Sequence, residues 1–264
     1  TQLIATIGLT PLTLLFFQQV SLVGFVANLL AIPLVTLLVT PLALAGALLP
    51  WLWGVAAALV TALMAALQVL AQLPVAVWTA AAAPTWAAAA GLLGGALLVL
   101  PLPWRLRLLG APLMLPLLVP PLERPPPGEF EAVVADVGQG TAVLVRTAQH
   151  LLVYDAGPSY SRDSDAGHRV LLPLLRARGE QHIDRLMLSH RDSDHVGGAA
   201  ALLNRGAVRS LTSSLEASHP LLQGRTPHEP CAAGQRWAWD GVRFEVLHPL
   251  PGAAGAAVKP NWIS

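Results

Sequence analysis

A set of transmembrane helices followed by an α/β domain is the multi-domain fold that this sequence predicts, and three observations predict it. Only 12% of the 264 residues are charged, against about 25% in a soluble globular domain. The deficit is one-sided: no Lys, Arg, Asp, Glu or His occurs from Thr1 to Trp104, and all ionisable side chains lie from Arg105 onward. Beyond Gly128 the long apolar runs give way to short β-branched runs separated by Gly-rich and polar breaks, the signature of a buried sheet.

Crossing the hydrocarbon core takes about 20 apolar residues. Leu3–Phe17 reads as the end of such a helix, and Val20–Leu49 as a span kinked or broken by Pro33 and Pro41. Val55–Leu73 is the cleanest span, Ala80–Leu100 follows, and Leu108–Leu122 is a short last one interrupted by proline. Arg105 and Arg107 in WRLR carry the positive charge between spans, which assigns that loop to the cytoplasm. One crossing by Leu108–Leu122 would then put the soluble half on the outer, periplasmic side. Gln18, Gln19 and Asn28 lie in apolar sequence and are expected to hydrogen-bond neighbouring helices. The chain starts without Met and without a basic leader, so it reads as a piece of a longer protein rather than as a signal peptide.

ERPPPG, Glu123–Gly128, is a Pro-rich spacer and the best domain boundary: residues 1–122 form the membrane region, 123–128 the linker and 129–264 the soluble domain. Within that domain Phe130–Gly138, Ala142–Thr147, Leu151–Gly157 and Ile183–Ser189 read as strands, and Val170–Gly179 and Asp194–Asn204 as helices. Arg236–Pro249 reads as a hairpin turning at Asp240-Gly241, a dipeptide suited to a type I′ turn. From Gly128 on there are 13 basic and 14 acidic residues, so no polybasic nucleic-acid footprint is present. Cys231 is the lone cysteine, which excludes an internal disulfide.

The chemistry is concentrated in SHRDSDHVGG, Ser189–Gly198. His190, Asp192, Asp194 and His195 fall where an apolar strand ends and a helix begins, so short side chains can converge on a loop. Imidazole and carboxylate together suit Zn²⁺ or Mn²⁺. A solvated polar turn is the bland alternative, but four potential ligands in HxDxDH spacing behind a buried strand argue for metal. Gly197 and Gly198 are expected to let the backbone turn tightly beneath the ligands. The other histidines lack ligand-like neighbours. Trp237 and Trp239 share one face of a strand, where core packing is favoured over base stacking.

This loop is similar to the HxHxDH motif of the metallo-β-lactamase superfamily, with Asp192 in place of the second histidine. ADVGQGTAVLV (Ala135–Val145), LLVYDAG (Leu151–Gly157), VLHP (Val246–Pro249) and NWIS (Asn261–Ser264), together with Phe16–Val35 upstream, resemble ComEC-type DNA internalisation proteins in the order of that family. The resemblance implies an αββα sandwich, here truncated, and two divalent metal ions (Mn or Zn). His190 and Asp192 would hold one ion, and Asp194 and His195 the other, with Asp194 catalytic. Asp136 and Asp155 would support the loop, or, on the bland reading, cap turns. It implies DNA and the membrane as partners, with other DNA-uptake machinery, in the bacterial inner membrane. The implied function is a channel for single-stranded DNA joined to a nuclease that degrades the other strand. A non-catalytic domain beside a channel, and a membrane-tethered hydrolase of another phosphodiester, are the alternatives. Thr141 stands where the family has Asp, and the family's later GD and HHGS segments do not occur, so the piece is expected to be inactive by itself.

Overall fold

The structure, a computed structural model, describes residues 2–73, 75–206 and 208–249. The chain divides into two compact units, Thr1–Pro121 and Leu122–Ser264.

In the first unit, α1 (Gln2–Phe17) ends where Gln18 takes a left-handed backbone conformation, φ 56°. The chain then enters a ribbon in which β1 (Gln19–Ser21) pairs antiparallel with β2 (Val77–Thr79). The span expected from Val20 therefore starts later, as α2 (Gly24–Leu34), which passes through a widened turn at Val35–Val39 into α3 (Thr40–Ala45). The helix is not broken. Thr40 N–H bonds to the Val35 carbonyl five residues back, a π-turn between Pro33 and Pro41, each of which removes a helix donor.

α4 (Trp51–Ala71) follows. Among the described residues, Gly24–Ala45 and Trp51–Ala71 are the two helices long and apolar enough to cross a membrane. α5 (Thr85–Val99) begins only after Pro84 and has 15 residues, about 22 Å at 1.5 Å per residue. Leu108–Leu122, expected as a last span, holds no helix of spanning length. α6 (Trp104–Leu108) and α7 (Gly110–Leu118) share that region, and the nine residues of α7 reach about 14 Å, half the hydrocarbon thickness. The Arg107 guanidinium caps the Leu98 carbonyl near the C-terminus of α5 at 2.7 Å.

α5 packs against α1 and α7 through glycine. A Cβ on Gly94 would lie 2.6 Å from the Gly110 carbonyl oxygen, one on Gly91 2.3 Å from Leu117, and one on Gly95 2.5 Å from Pro11. Small residues admit this backbone approach where no hydrophobic effect drives helices together. Gln18 contributes its carbonyl, which accepts from Ala80 N–H at 2.9 Å; among the described residues no side-chain hydrogen bond is made by Gln18, Gln19 or Asn28.

The second unit is built on one six-stranded sheet in the order β10-β9-β8-β5-β4-β3. β3 (Glu131–Val134), β4 (Val143–Arg146) and β5 (Leu151–Tyr154) are antiparallel neighbours. After β5 come a small hairpin, β6 (Ser159–Ser161) with β7 (Ser164–Asp165), and α8 (Leu172–Ala177). α8 is preceded by a π-turn at Gly167–Leu171 and closed by Gly179 at φ 71°. β8 (Arg185–Leu188) pairs parallel with β5. The helix expected over Asp194–Asn204 is two short ones, α9 (Ser193–Val196) and α10 (Ala199–Asn204), divided at Gly197-Gly198. β9 (Leu211–Ser213) and β10 (His228–Pro230) extend the sheet in parallel. β11 (Arg236–Trp239) and β12 (Val242–Glu245) form the hairpin, and positive φ at Asp240 (50°) and Gly241 (86°) fits the type I′ turn.

Alternation divides the sheet's side chains between two cores. Leu144, Val153, Leu186, Leu188 and Leu211 pack with Leu171, Leu175 and Leu202 of the helical layer. Leu152 and Met187 face the other way and meet Cys231, Val246, Trp237 and Trp239. Helices thus cover one face and the hairpin covers part of the other, a mixed sheet with half of the expected sandwich. The Pro-rich spacer is strapped to this unit rather than free: Arg146 donates to the Glu123 carbonyl at 3.1 Å, Arg124 pairs with Glu180, and Gly128 N–H donates to the Asp240 carbonyl at 2.7 Å. NWIS lies outside the described residues.

Candidate metal centre

The site starts from Asp155, the residue after β5. Its side chain is 1% exposed and its backbone is left-handed, φ 57°, a conformation that Asp tolerates better than most residues. The turn aims the carboxylate at the C-terminal end of the neighbouring parallel strand, β8. There Oδ1 accepts the Ser189 N–H at 2.8 Å, and Oδ2 accepts the Ser189 hydroxyl at 2.7 Å and His195 Nδ1 at 2.7 Å. Three donors satisfy a buried carboxylate that would otherwise be costly.

The two imidazoles lie against one another, with ring centroids 4.0 Å apart. His190 Nδ1 is 2.9 Å from Ser189 Oγ. With Nδ1 engaged on both rings, each Nε2 faces away from the brace and toward a carboxylate. His190 Nε2 lies 3.4 Å from Asp192 Oδ2, and His195 Nε2 lies 3.6 Å from Asp194 Oδ2. The carboxylates are the solvent-side members: Asp192 is 54% and Asp194 42% exposed, against 19% for His195.

Backbone contacts fix the loop from behind. The Asp194 carbonyl accepts from Thr141 N–H at 3.1 Å, and the His195 carbonyl from Ala156 N–H at 2.7 Å. Thr141 therefore serves through its backbone, which any residue but proline supplies, so the change from Asp at that position leaves this contact intact. Gly197 and Gly198 have ordinary helical dihedrals; their role is close approach rather than a special turn. A Cβ on Gly197 would lie 2.1 Å from Ser159 N, and one on Gly198 2.3 Å from the Ala156 carbonyl oxygen. The first part of the polar segment, Ser159–Asp165, is a hairpin beside this loop, with the Tyr160 hydroxyl donating to the Val137 carbonyl at 2.9 Å.

Sequence reasoning named His190, Asp192, Asp194, His195 and Asp155, and the structure brings these five together. It does not bring Asp136, whose Oδ1 accepts Gly138 N–H at 3.2 Å, the turn-capping alternative. Ser189 was missed. Its place immediately before the first histidine was the available signal. Five of the six remaining histidines have structural partners: His150 joins Asp240, His168 joins Asp165, His182 lies near Asp184, His219 accepts from Leu221 N–H, and His228 meets Ser213. Burial holds the His228 imidazole below its ordinary pKa and, with the Asp155 charge alongside, raises the Tyr154 phenol.

Among the described residues no three His, Cys, Asp or Glu side chains converge on one point. Two N/O pairs are what the geometry offers. In kind they fit a divalent Mn or Zn ion; in number each pair supplies only part of the roughly four to six donors that such an ion takes.

Two family profiles match the chain in succession. The one described as Competence protein matches residues 1–105, and the one described as Metallo-beta-lactamase superfamily matches residues 135–256. Competence protein ComA of Neisseria gonorrhoeae is 34% identical over 88% of this chain and 32% of its own length. Uncharacterized protein YcaI of Escherichia coli K12 is 31% identical over 96% of this chain and 33% of its own. Recombination protein 2 of Haemophilus influenzae is 33% identical over 43% of this chain and 14% of its own. The chain spans about a third of the length of the first two of these curated relatives. No solved structure matches it.

Proposed function

We propose that this chain, in which a competence-protein segment leads into a metallo-β-lactamase superfamily domain, is of the ComEC type and serves DNA uptake from within the bacterial inner membrane. In this reading the membrane unit contributes to a path for single-stranded DNA, and the soluble unit to a metal-dependent nuclease that degrades the other strand. The observation that carries it is the paired His–Asp geometry braced by one buried carboxylate.

His190 with Asp192, and Asp194 with His195, would hold two divalent ions, which lower the pKa of water and brace the oxygens of a phosphodiester when bound. Asp155 and Ser189 keep both Nδ1 atoms occupied, so lone pairs are presented at Nε2. Asp194, the less exposed of the two carboxylates, would be the catalytic one. DNA, the membrane and other uptake machinery are the partners of this reading. In this reading the soluble unit would lie on the periplasmic side, an orientation that rests on Arg105 and Arg107 alone and that a reporter fused after Pro249 tests.

The double substitution Asp194→Ala with His195→Ala in the intact protein should abolish metal-dependent DNA cleavage. Cleavage at the unaltered rate would remove the assignment. A second reading, DNA passage with a non-catalytic domain, is favoured by the lack of a three-donor cluster among the described residues. It predicts no bound Mn or Zn in the purified intact protein. Cleavage of RNA or small diesters in preference to DNA would instead mark a membrane-tethered hydrolase of another phosphodiester.

A further inference from the structure

We infer that Ser189 is a positioning residue: its hydroxyl relays the Asp155 charge to His190 and sets which nitrogen of that ring is free. The inference rests on the metal-centre reading above and deepens it. Ser189 Oγ lies 2.7 Å from Asp155 Oδ2, a separation that puts a proton between the two oxygens. Asp155 Oδ2 also receives His195 Nδ1, so the carboxylate is acting as an acceptor and the shared proton is the serine's. A hydroxyl has one proton to donate. Once it is committed to Asp155, Ser189 Oγ meets His190 Nδ1 at 2.9 Å with a lone pair, and Nδ1 carries the hydrogen. The lone pair of His190 is thereby left on Nε2, the atom facing Asp192.

The two histidines are thus set by one carboxylate along different routes. His195 is bonded to Asp155 directly, whereas its distance to Ser189 Oγ is 3.4 Å. Removal of the hydroxyl should therefore release His190 and leave His195 in place. Such outer partners commonly change metal affinity by about 10–100-fold.

The test uses the intact protein in detergent micelles, labelled with ¹⁵N-histidine, with His190→Gln to assign the resonance. Without metal, His190 should be in the Nδ1–H form in the native protein and in Ser189→Thr, and should move toward Nε2–H in Ser189→Ala, while His195 keeps Nδ1–H. An unchanged His190 tautomer in Ser189→Ala would overturn the inference. Titration with Mn²⁺ provides the second readout: Ser189→Ala should weaken one of two bound ions about 10–100-fold and spare the other. Equal weakening of both ions, or of neither, would also overturn it. Should the native protein bind no Mn²⁺ at all, the metal reading fails and the tautomer experiment alone decides the role of Ser189.

Discussion

The two units handle apolar side chains by opposite rules. In the first, Leu29, Leu44, Leu48, Trp51 and Val69 are exposed and the buried positions include Ala87, Gly91, Gly94 and Gly95. In the second, Leu144, Leu151, Leu186 and Leu188 are fully buried and charge lies outside or in paired networks. Where the solvent is hydrocarbon, Leu gains nothing by hiding, and close contact between small residues holds helices together. Where the solvent is water, removing Leu from it is the dominant favourable contribution. One chain thus applies two packing codes, and the same substitution should have unequal consequences in its two halves.

The largest contrast concerns charge. Arg146 is buried and meets Glu180 at 2.8 Å and Glu131 at 2.6 Å, a network for which the first unit, whose charges are Arg105 and Arg107 alone, has no counterpart among the described residues. Arg146→Ala should destabilise the second unit by about 3–5 kcal/mol, because Glu180 stays buried with a partner lost. Thermal unfolding of the intact protein measures it; a cost below about 1 kcal/mol would show that the pair is solvated. Leucine sharpens the comparison. Leu144→Ala should cost about 2–5 kcal/mol. Leu44→Ala, at an exposed position of the proposed membrane unit, should cost about 0.5 kcal/mol of insertion energy. Equal costs would mean that the first unit has a water-type core.

Within the first unit glycine is the sensitive residue. Gly94→Ala should cost about 1–3 kcal/mol by overpacking, since its Cβ would meet the Gly110 carbonyl oxygen at 2.6 Å. Gly54→Ala in α4, with nothing within 4 Å, should be neutral or stabilising by up to about 1 kcal/mol. Comparable losses at both positions would refute the glycine seam. The smallest effect is one of pH. Hydrogen bonds from Thr147 and His150, ahead of the opposing burial, and from Gln149 N–H hold the Asp240 carboxyl down at about 2. A depressed carboxylate stabilises the fold above its unfolded pKa, near 4, and that contribution fades as pH falls from there through about 2. Trp239 fluorescence should report loosening of the hairpin over that range; Asp240→Asn should remove the pH step.

Particular residues show what could be read in advance. The charge-free stretch to Trp104 and the β-branched runs after Gly128 announced two units of different packing, and Asp240-Gly241 announced its own turn, because these signals are local. β1, β2, β9 and β10 are three residues long and owe their existence to pairing partners, so no periodicity marked them. The length of Leu108–Leu122 suggested a span; the folding of Arg107 back onto Leu98 did not show in composition. At the site the ligand candidates stood in one motif, whereas the brace joins Asp155 to His195 across 40 residues and two parallel strands. Asp136 and Asp155 looked alike in sequence. Only the left-handed turn of Asp155 and the register of β5 with β8 separate them.

The central claim is that one hidden carboxylate readies two imidazole–carboxylate pairs for divalent cations. Crystals of the intact protein soaked in Mn²⁺ and measured at the manganese edge test it directly. The account predicts an anomalous peak shared by His190 and Asp192 and a second shared by Asp194 and His195, both weakened in Asp155→Asn. A map with no peak beside either histidine would contradict it.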